Sequence, residues 1–485
     1  MNLSQKVALN TALLIGGRIA VAGSGLVGTV VATRYLGIDE FGELLIAVAF
    51  VALFGVLTDA GVWTIAAREI AKRPGDEAAI LSTASLIGLA LSGTTFLLVV
   101  EGMFVVYGGA DRELVRLGIL IIATQLLISG PLGTSSAFMT AHQLALPGAL
   151  GGLLAGVGFL IALTVAVLAD FGFAGIAAAY TVSAALNAAV PIVAVARAVS
   201  LRPRWNRPLA TELVRSALPQ GFVLAITTIY VRVDTVLLSL LATNREVGLY
   251  GVSYRVLEFL LLAPAFATMT VFPELARAGV HTERLRMLVQ GLFSAVVLAA
   301  VPMLCIFVGF APEIVRVVGG GEDFDAATGV LRLLVLAVAF SFPATVLFNA
   351  LVATDQQRLL ARAMVVVLAG NVALNLVLIG PLQARGSALA LVITEILSLT
   401  LGWRLFARVS VAPRLQLPVR LAVAGGICAT TVVAVRFMVP EPANDPIIVF
   451  ALGSVAASAA FGVALICLHA VPVEVTSAVA QLRRR

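Results

Sequence analysis

The sequence has very little charge. Only 12% of its 485 residues are Asp, Glu, Lys or Arg, whereas 60% are hydrophobic. Soluble domains carry about a quarter charged residues because their surfaces face water. This deficit, with a mean hydropathy of +1.06, argues against a soluble domain and predicts a membrane protein. We assign the net charge of +6 to loops at a membrane surface and expect no nucleic-acid partner.

Cysteine and histidine are also scarce, with three of each. Cys305, Cys428 and Cys467 each lie within an apolar run and have no pairing or metal-ligand spacing. The sequence contains no glycine-rich phosphate-binding loop with Lys and Ser or Thr. We therefore expect no metal, no cofactor, no nucleotide hydrolysis and no enzymatic activity.

Long apolar runs are abundant. A spanning helix needs about 20 mostly apolar residues, whereas membrane barrel strands are about half as long and alternate. The runs predict an all-α polytopic membrane protein with about fourteen transmembrane helices. The predicted spans are approximately residues 7–32, 41–66, 78–106, 115–140, 143–169, 173–196, 213–241, 247–272, 286–309, 327–353, 360–380, 386–407, 416–438 and 446–470.

Lys and Arg are distributed unevenly between the two sets of loops. With the N-terminus inside, the inner loops hold about three times as many as the outer loops, which predicts that both termini are cytoplasmic. The inner set includes Arg202 and Arg204 before the seventh span and the tail residues Arg483, Arg484 and Arg485. We therefore expect a multi-pass protein of the cytoplasmic (inner) membrane.

Four local patterns recur along the chain at nearly the same offset. The matches are Gly42 with Gly248, Glu69 with Glu274, residues 141–146 with 354–359, and Gly175 with Gly386. Spans one to six therefore resemble spans seven to twelve, and an even number of spans makes the repeat parallel.

The repeat predicts a division of the chain into two six-helix lobes around a central cavity. The predicted parts are an N-lobe at 1–199, a cytoplasmic linker at 200–212, a C-lobe at 213–410, and spans thirteen and fourteen with a basic cytoplasmic tail at 411–485.

Arg18 lies about 16 Å into the first span, near the membrane midplane. A charge there costs about 2.5–3.5 kcal/mol on insertion scales, so it usually faces a cavity or a partner. A guanidinium can bind two oxygens of a phosphate or carboxylate. Arg18 is therefore a candidate substrate-binding residue, and the alternative is a structural arginine bonded to backbone carbonyls.

Four more charges lie in the seventh and eighth spans: Arg232, Asp234, Arg255 and Glu258. Counted from the turn between these spans, Asp234 and Arg255 lie at similar depth, which would allow a structural pair. Arg255 and Glu258 share one helix face because they are three residues apart. In the alternative, Arg232 or Arg255 binds substrate and the acids hold it in place.

Asp59 in the second span and Glu395 in the twelfth could each carry a coupling proton, because burial raises the pKa of a carboxyl group. A structural cap or ion pair is the alternative for both. Asn371 and Asn375 lie on one face of the eleventh span, and we expect them to make interhelical hydrogen bonds.

Residues 230–277 resemble a known family. YVRVDTVLLSLLATNREVGLYGVSYRVLEFLLLAPAFATMTVFPELAR is similar to the middle signature of the polysaccharide-biosynthesis flippases, in the multidrug/oligosaccharidyl-lipid/polysaccharide exporter superfamily. The shared features are Arg-x-Asp, the Val-Gly-Leu-Tyr turn and the Phe-Pro-Glu-Leu end. Residues 34–45, 59–72 and 371–390 resemble other recurring stretches of that family.

The resemblance implies a flippase that moves a polyprenyl-(di)phosphate-linked oligosaccharide from the cytoplasmic to the outer leaflet by alternating access. It implies cationic residues in the cavity, a role open to Arg18, Arg232 and Arg255. The expected partners are this lipid-linked oligosaccharide, membrane lipids and a glycan polymerase or other assembly proteins, with the chain itself a monomer.

Two other functions stay open. One is a cation-coupled small-molecule exporter of the same superfamily, for which an acidic cavity would be typical. The other is a membrane polysaccharide polymerase or ligase, which would need a large catalytic loop outside the membrane. The longest outer segment, residues 311–327, is too short for one.

Overall fold

A computed structural model describes residues 3–199, 205–414, 419–438 and 445–469, with side chains from residue 16 onward except that of Pro74. Arg202 and Arg204 of the predicted linker and the predicted basic tail at 483–485 lie outside the described residues. The described part of the chain is helical and contains no strand, which confirms the all-α class.

Sixteen α-helices occur in the described ranges. They are α1 (Leu3–Gly55), α2 (Val62–Lys72), α3 (Glu77–Val106), α4 (Glu113–Ala141), α5 (Leu146–Leu168), α6 (Gly172–Ala198), α7 (Arg207–Leu241), α8 (Asn244–Leu260), α9 (Leu262–Ala278), α10 (Glu283–Gly309), α11 (Ala311–Gly319), α12 (Ala327–Ala353), α13 (Gln357–Leu382), α14 (Ala384–Phe406), α15 (Val419–Met438) and α16 (Pro446–Cys467).

The first helix contains two membrane spans. At 53 residues, α1 would be about 80 Å long if straight, far more than a bilayer needs. It is broken at Gly37, whose φ of 75° and ψ of −178° a side chain would disfavour. In the described chain thirteen helical segments are long and apolar enough to cross a membrane, and the first, Gly16–Lys72, contains this break. Counting it as two crossings gives fourteen spans, as predicted.

The chain forms two compact units, residues 1–248 and 249–485. In the first unit α3 packs on α4, and α6 packs on both α4 and α5. In the second unit α10 packs on α12, and α14 packs on both α12 and α13. These three pairings of the first unit correspond to the three of the second unit when spans three to six are matched with spans nine to twelve.

The matched glycines of the repeat contact each other's helix within the first unit. A Cβ atom at Gly42 would lie 2.0 Å from the carbonyl oxygen of Asn244, and one at Gly248 would lie 2.5 Å from that of Ile38. Because 42 matches 248 and 38 matches 244, the contact is reciprocal, like an interface around a twofold axis. Only a hydrogen side chain allows this approach.

Candidate functional site

Arg18 lies midway along the first stretch of α1, about 23 Å from Leu3. The neighbouring face of α1 packs on α5: a Cβ at Gly17 would lie 3.4 Å from Ala149 Cα, and one at Gly156 would lie 3.0 Å from Ser24 Oγ. Arg18 itself is exposed. Among residues whose side chains are described, it has no hydrogen-bond or ion-pair partner.

Arg232 and Asp234 lie near the end of α7 on different faces, since two residues in a helix are about 200° apart. Asp234 is buried, and its Oδ1 accepts hydrogen bonds from the Thr235 amide (2.6 Å) and hydroxyl (3.3 Å). Arg232 is half-buried. The two charges therefore have different surroundings, and a pair between Asp234 and Arg255 stays a prediction.

Arg255 and Glu258 form an ion pair on α8, with 2.8 Å between Arg255 Nη1 and Glu258 Oε2. Both side chains are half-buried. The spacing of three residues brings them to one helix face, as the sequence indicated. The guanidinium of Arg255 is thus oriented by a carboxylate one turn before α8 ends.

The asparagines of α13 join it to α14. Asn371 Nδ2 donates to Thr394 Oγ1 at 3.3 Å, and Ser387 Oγ donates to Asn375 Oδ1 at 2.7 Å. This confirms the predicted interhelical hydrogen bonds. Glu395, next to Thr394 on α14, is half-buried.

Asp59 lies in a break between α1 and α2. A 3-10 turn, Val56–Thr58, is followed by left-handed backbone at Ala60 (φ 44°) and Gly61 (φ 81°). Asp59 Oδ1 accepts the backbone N–H of Trp63 at 3.3 Å, which satisfies one of the free amides at the start of α2. This geometry is consistent with a structural helix cap, one of the two roles that the sequence analysis considered for Asp59.

A cavity of about 400 Å³ opens beside this break, within the first unit. It is lined by Asp59, Trp63, Thr64, Ala67, Ser129, Leu132, Gly133, Ser136, Ala137 and Thr140. Sequence analysis singled out only the carboxylate. The hydroxyl residues on α4 are Ser129, Ser136 and Thr140. They are spaced by seven and four residues and therefore share one helix face, so this spacing in the sequence could have revealed them.

Glu69 forms ion pairs near the C-terminal end of α2. This buried carboxylate lies 3.1 Å from both Arg68 and Lys72 and 3.2 Å from Arg73. Arg73 also contacts Glu212 on α7 at 2.5 Å. The hydrogen bond to Glu212 raises the pKa of the Arg73 guanidinium.

The repeat-related acid, Glu274 on α9, pairs with Arg277 at 3.5 Å and also with Arg284. Both halves therefore end their second span with an acid that binds nearby cations.

A second, open cleft of about 670 Å³ follows the N-terminal part of α7. It is lined by Arg207, Pro208, Thr211, Glu212, Arg215 and Ser216. Among the described residues no group of three or more His, Cys, Asp or Glu side chains could hold a metal ion. The side chains that line the two sites can form ion pairs and hydrogen bonds.

The model of a family described as "Polysaccharide biosynthesis protein" matches residues 7–278. No curated protein sequence matches the chain significantly.

Several solved structures share the fold. The lipid II flippase MurJ, in an inward closed conformation, aligns with a TM-score of 0.74 and 14% identity over 94% of this chain and 100% of MurJ. An inward-facing multidrug resistance MATE family transporter of the MOP superfamily aligns with a TM-score of 0.60 and 15% identity, over 87% of this chain and 96% of the transporter.

A MOP superfamily transporter from Pyrococcus furiosus, described by a reverse polarity of its binding pocket, aligns with a TM-score of 0.59 and 14% identity. That alignment covers 83% of this chain and 94% of the transporter. At these identities the likeness shows the fold alone, that of a multi-pass membrane protein.

Proposed function

We infer that this chain, which belongs to the polysaccharide biosynthesis protein family, is a flippase. We assign it a polyprenyl-(di)phosphate-linked oligosaccharide, carried from the cytoplasmic to the outer leaflet by alternating access. The lipid tail would stay in the bilayer while the charged and sugar-bearing head group crosses through the protein.

The single observation that carries this proposal is Arg18. An arginine in the middle of a spanning helix, exposed and without a partner among the described side chains, is costly unless a ligand supplies the opposite charge. The (di)phosphate of a lipid carrier supplies that charge and matches the planar fork of a guanidinium. We therefore assign Arg18 to phosphate binding.

Two further arginines support a cationic path. Arg255 is oriented by Glu258 at 2.8 Å, and we assign it and Arg232 to contacts with the phosphate or the sugar. The cleft along α7 adds Arg207 and Arg215 near the inner surface. Arg207 and Arg232 are 25 residues apart on α7 and therefore lie on nearly the same helix face, where they would attract an anionic head group from the inner leaflet.

The membrane orientation and coupling belong to the same proposal. We place the protein in the cytoplasmic membrane with both termini in the cytoplasm, as a monomer without enzymatic activity. Asp59 and Glu395 are the proposed coupling carboxylates, and a glycan polymerase or other assembly proteins are the proposed partners.

The test replaces Arg18 by Ala in a host that lacks its own copy of the protein. We expect surface glycan to be lost while the variant still inserts, with partial rescue by Arg18→Lys, which keeps the charge but not the fork. Glycan staining and immunoblots of membrane fractions give the two readouts. Normal surface glycan with Arg18→Ala would remove Arg18 from the site, and normal glycan in the strain without the protein would refute the function.

A cation-coupled small-molecule exporter is the second candidate. The observation in its favour is the carboxylate of Asp59 in a cavity within the first unit, together with the MATE-like fold. It predicts that removal of the protein raises drug susceptibility and leaves surface glycan unchanged, the opposite of the flippase result.

A further inference from the structure

We propose that the cavity beside Asp59 binds a sugar residue of the transported head group. This inference rests on the proposed flippase function and deepens it, because it assigns the sugar and the phosphate to different places. The phosphate belongs to Arg18, and the neutral, hydroxyl-rich part belongs to the cavity between α2 and α4.

The cavity has the size and position for this ligand. Its volume of about 400 Å³ lies in the range of about 300–1,000 Å³ found for small-molecule sites. Thr140 is next to the last residue of α4, and Ser129 lies eleven residues earlier, about 17 Å along the helix. The cavity therefore follows α4 for about 17 Å from Thr140 to Ser129, and Asp59 is one of its lining residues.

The lining matches hydroxyl groups. Thr64, Ser136 and Thr140 each offer a hydroxyl that can donate and accept, and Asp59 offers an acceptor. Ser129 Oγ donates to Gln125 O at 3.4 Å and can still accept. A sugar hydroxyl also donates and accepts, so each can be satisfied on the wall. The one carboxylate and the polar groups together have the pattern of few, convergent polar atoms typical of specific sites.

The same lining argues against two other ligands. Among the described residues that line it, none is Lys, Arg or His, so a phosphate would find no positive side chain on this part of the wall. A bare metal ion needs several oxygen ligands at about 2.0–2.6 Å, whereas this wall supplies a single carboxylate that already accepts the Trp63 amide. A neutral polar ligand fits best.

Trp63 forms a fixed apolar wall. A Cβ atom at Gly88 would lie 2.0 Å from Trp63 Cη2, and one at Gly133 would lie 2.1 Å from Trp63 Cε2. Glycines on α3 and α4 thus leave the space that the indole fills, which fixes its position. An aromatic ring held at the wall can pack against the carbon face of a sugar ring at low entropic cost.

The experiment uses Trp63 as its own reporter. The chain has three tryptophans, so Trp205→Phe with Trp403→Phe leaves the emission of Trp63 alone. The purified full chain is titrated with oligosaccharide released by mild acid from the host's lipid-linked pool, and separately with sugar-free polyprenyl diphosphate. We expect the emission of Trp63 to change saturably with the oligosaccharide and to stay constant with the polyprenyl diphosphate.

Two variants on one helix provide a matched pair. Ser136→Ala removes a cavity hydroxyl, and we expect the oligosaccharide to bind about fivefold more weakly, as for one lost hydrogen bond. Ser135→Ala is the control, because the buried Ser135 bonds its own helix at Pro131 O and should leave binding unchanged. Thr64→Val replaces Ser136→Ala if the latter fails to insert.

The inference is overturned if the oligosaccharide causes no saturable change in Trp63 emission. It is also overturned if polyprenyl diphosphate alone causes that change, or if tetraethylammonium or sodium causes it and the oligosaccharide does not. These outcomes are separate from the test of function. If Arg18→Ala abolishes surface glycan but the emission of Trp63 does not respond to the oligosaccharide, only the sugar site is rejected. If the oligosaccharide binds but surface glycan is normal in the strain without the protein, the flippase function is rejected.

Discussion

The second span of each repeat half is interrupted, and the two interruptions are built differently. In the first half, residues 56–61 separate α1 from α2 with a 3-10 turn and two left-handed residues. In the second half, Leu261 alone separates α8 from α9, and its φ of −66° and ψ of −11° stay in the right-handed region.

The difference shows how a duplicated framework has acquired two kinds of chemistry. The wide break exposes a capping carboxylate, Asp59, to a cavity with α4. The narrow break keeps nearly continuous helix, and its charge is the Arg255–Glu258 pair one turn earlier. At the break of its second span, the first half therefore presents a polar wall with one carboxylate, whereas the second half presents an ion pair.

The largest loss of stability should come from adding a side chain at Gly61, in the break at residues 56–61. In Gly61→Val the new side chain would have to adopt a φ of 81°, and its Cβ would lie 2.8 Å from Ala217 O on α7. We expect a loss of about 3 kcal/mol in stability, measured by thermal unfolding in detergent. Leu261→Val is the matched change at the narrow break, and an equal loss there would break the comparison.

The reciprocal glycine contact should give the next largest effect. Gly42→Ala and Gly248→Ala each place a methyl against backbone, at 2.0 Å and 2.5 Å respectively. We expect each to cost about 1–3 kcal/mol, with Gly42→Ala the worse. Gly23→Ala is the control, since nothing lies within 4 Å of its Cβ position. A loss in only one of the pair would argue against reciprocal packing.

A smaller effect is expected from the cap of α2. Asp59→Ala removes the acceptor of the Trp63 amide and should cost about 1 kcal/mol. Asp59→Asn keeps an acceptor and should recover most of that stability. The thermal midpoints of the two variants measure the difference, and identical midpoints would show that Asp59 has no capping role.

The smallest effect is expected from the ion pair of the second half. Both partners are about one-quarter exposed, and such helical pairs contribute about 0.3–0.5 kcal/mol. A double-mutant cycle with Arg255→Gln and Glu258→Gln measures the coupling. A coupling energy several times larger would mean that the ion pair stabilises the fold, and would argue against Arg255 as a substrate-binding residue.

The membrane class and number of spans could be predicted from the sequence because hydropathy and length act locally. Gly42 and Gly248 were also visible as a repeated pattern, although their contact was not. The broken backbone around Ala60 has no strong local signal, since alanine normally favours helix.

The cavity could not be predicted for a different reason. It needs Asp59 and the Ser129 face of α4 to come together across about 70 residues, which depends on helix packing. Arg18 illustrates an intermediate case. Its depth in the membrane could be predicted from its position in the first span. Its exposure and its lack of a partner among the described side chains could be seen only in the structure.

The most direct measurement is transport in reconstituted vesicles. The purified protein is incorporated into liposomes with fluorescently labelled lipid-linked oligosaccharide from the host, and the fraction accessible to an external quencher is followed over time. We expect rapid exchange between leaflets with the native protein and with Arg34→Ala, an exposed arginine outside the site, and background exchange with Arg18→Ala. Exchange at the background rate with native protein, or at the native rate with Arg18→Ala, would contradict a flippase that binds its substrate through Arg18.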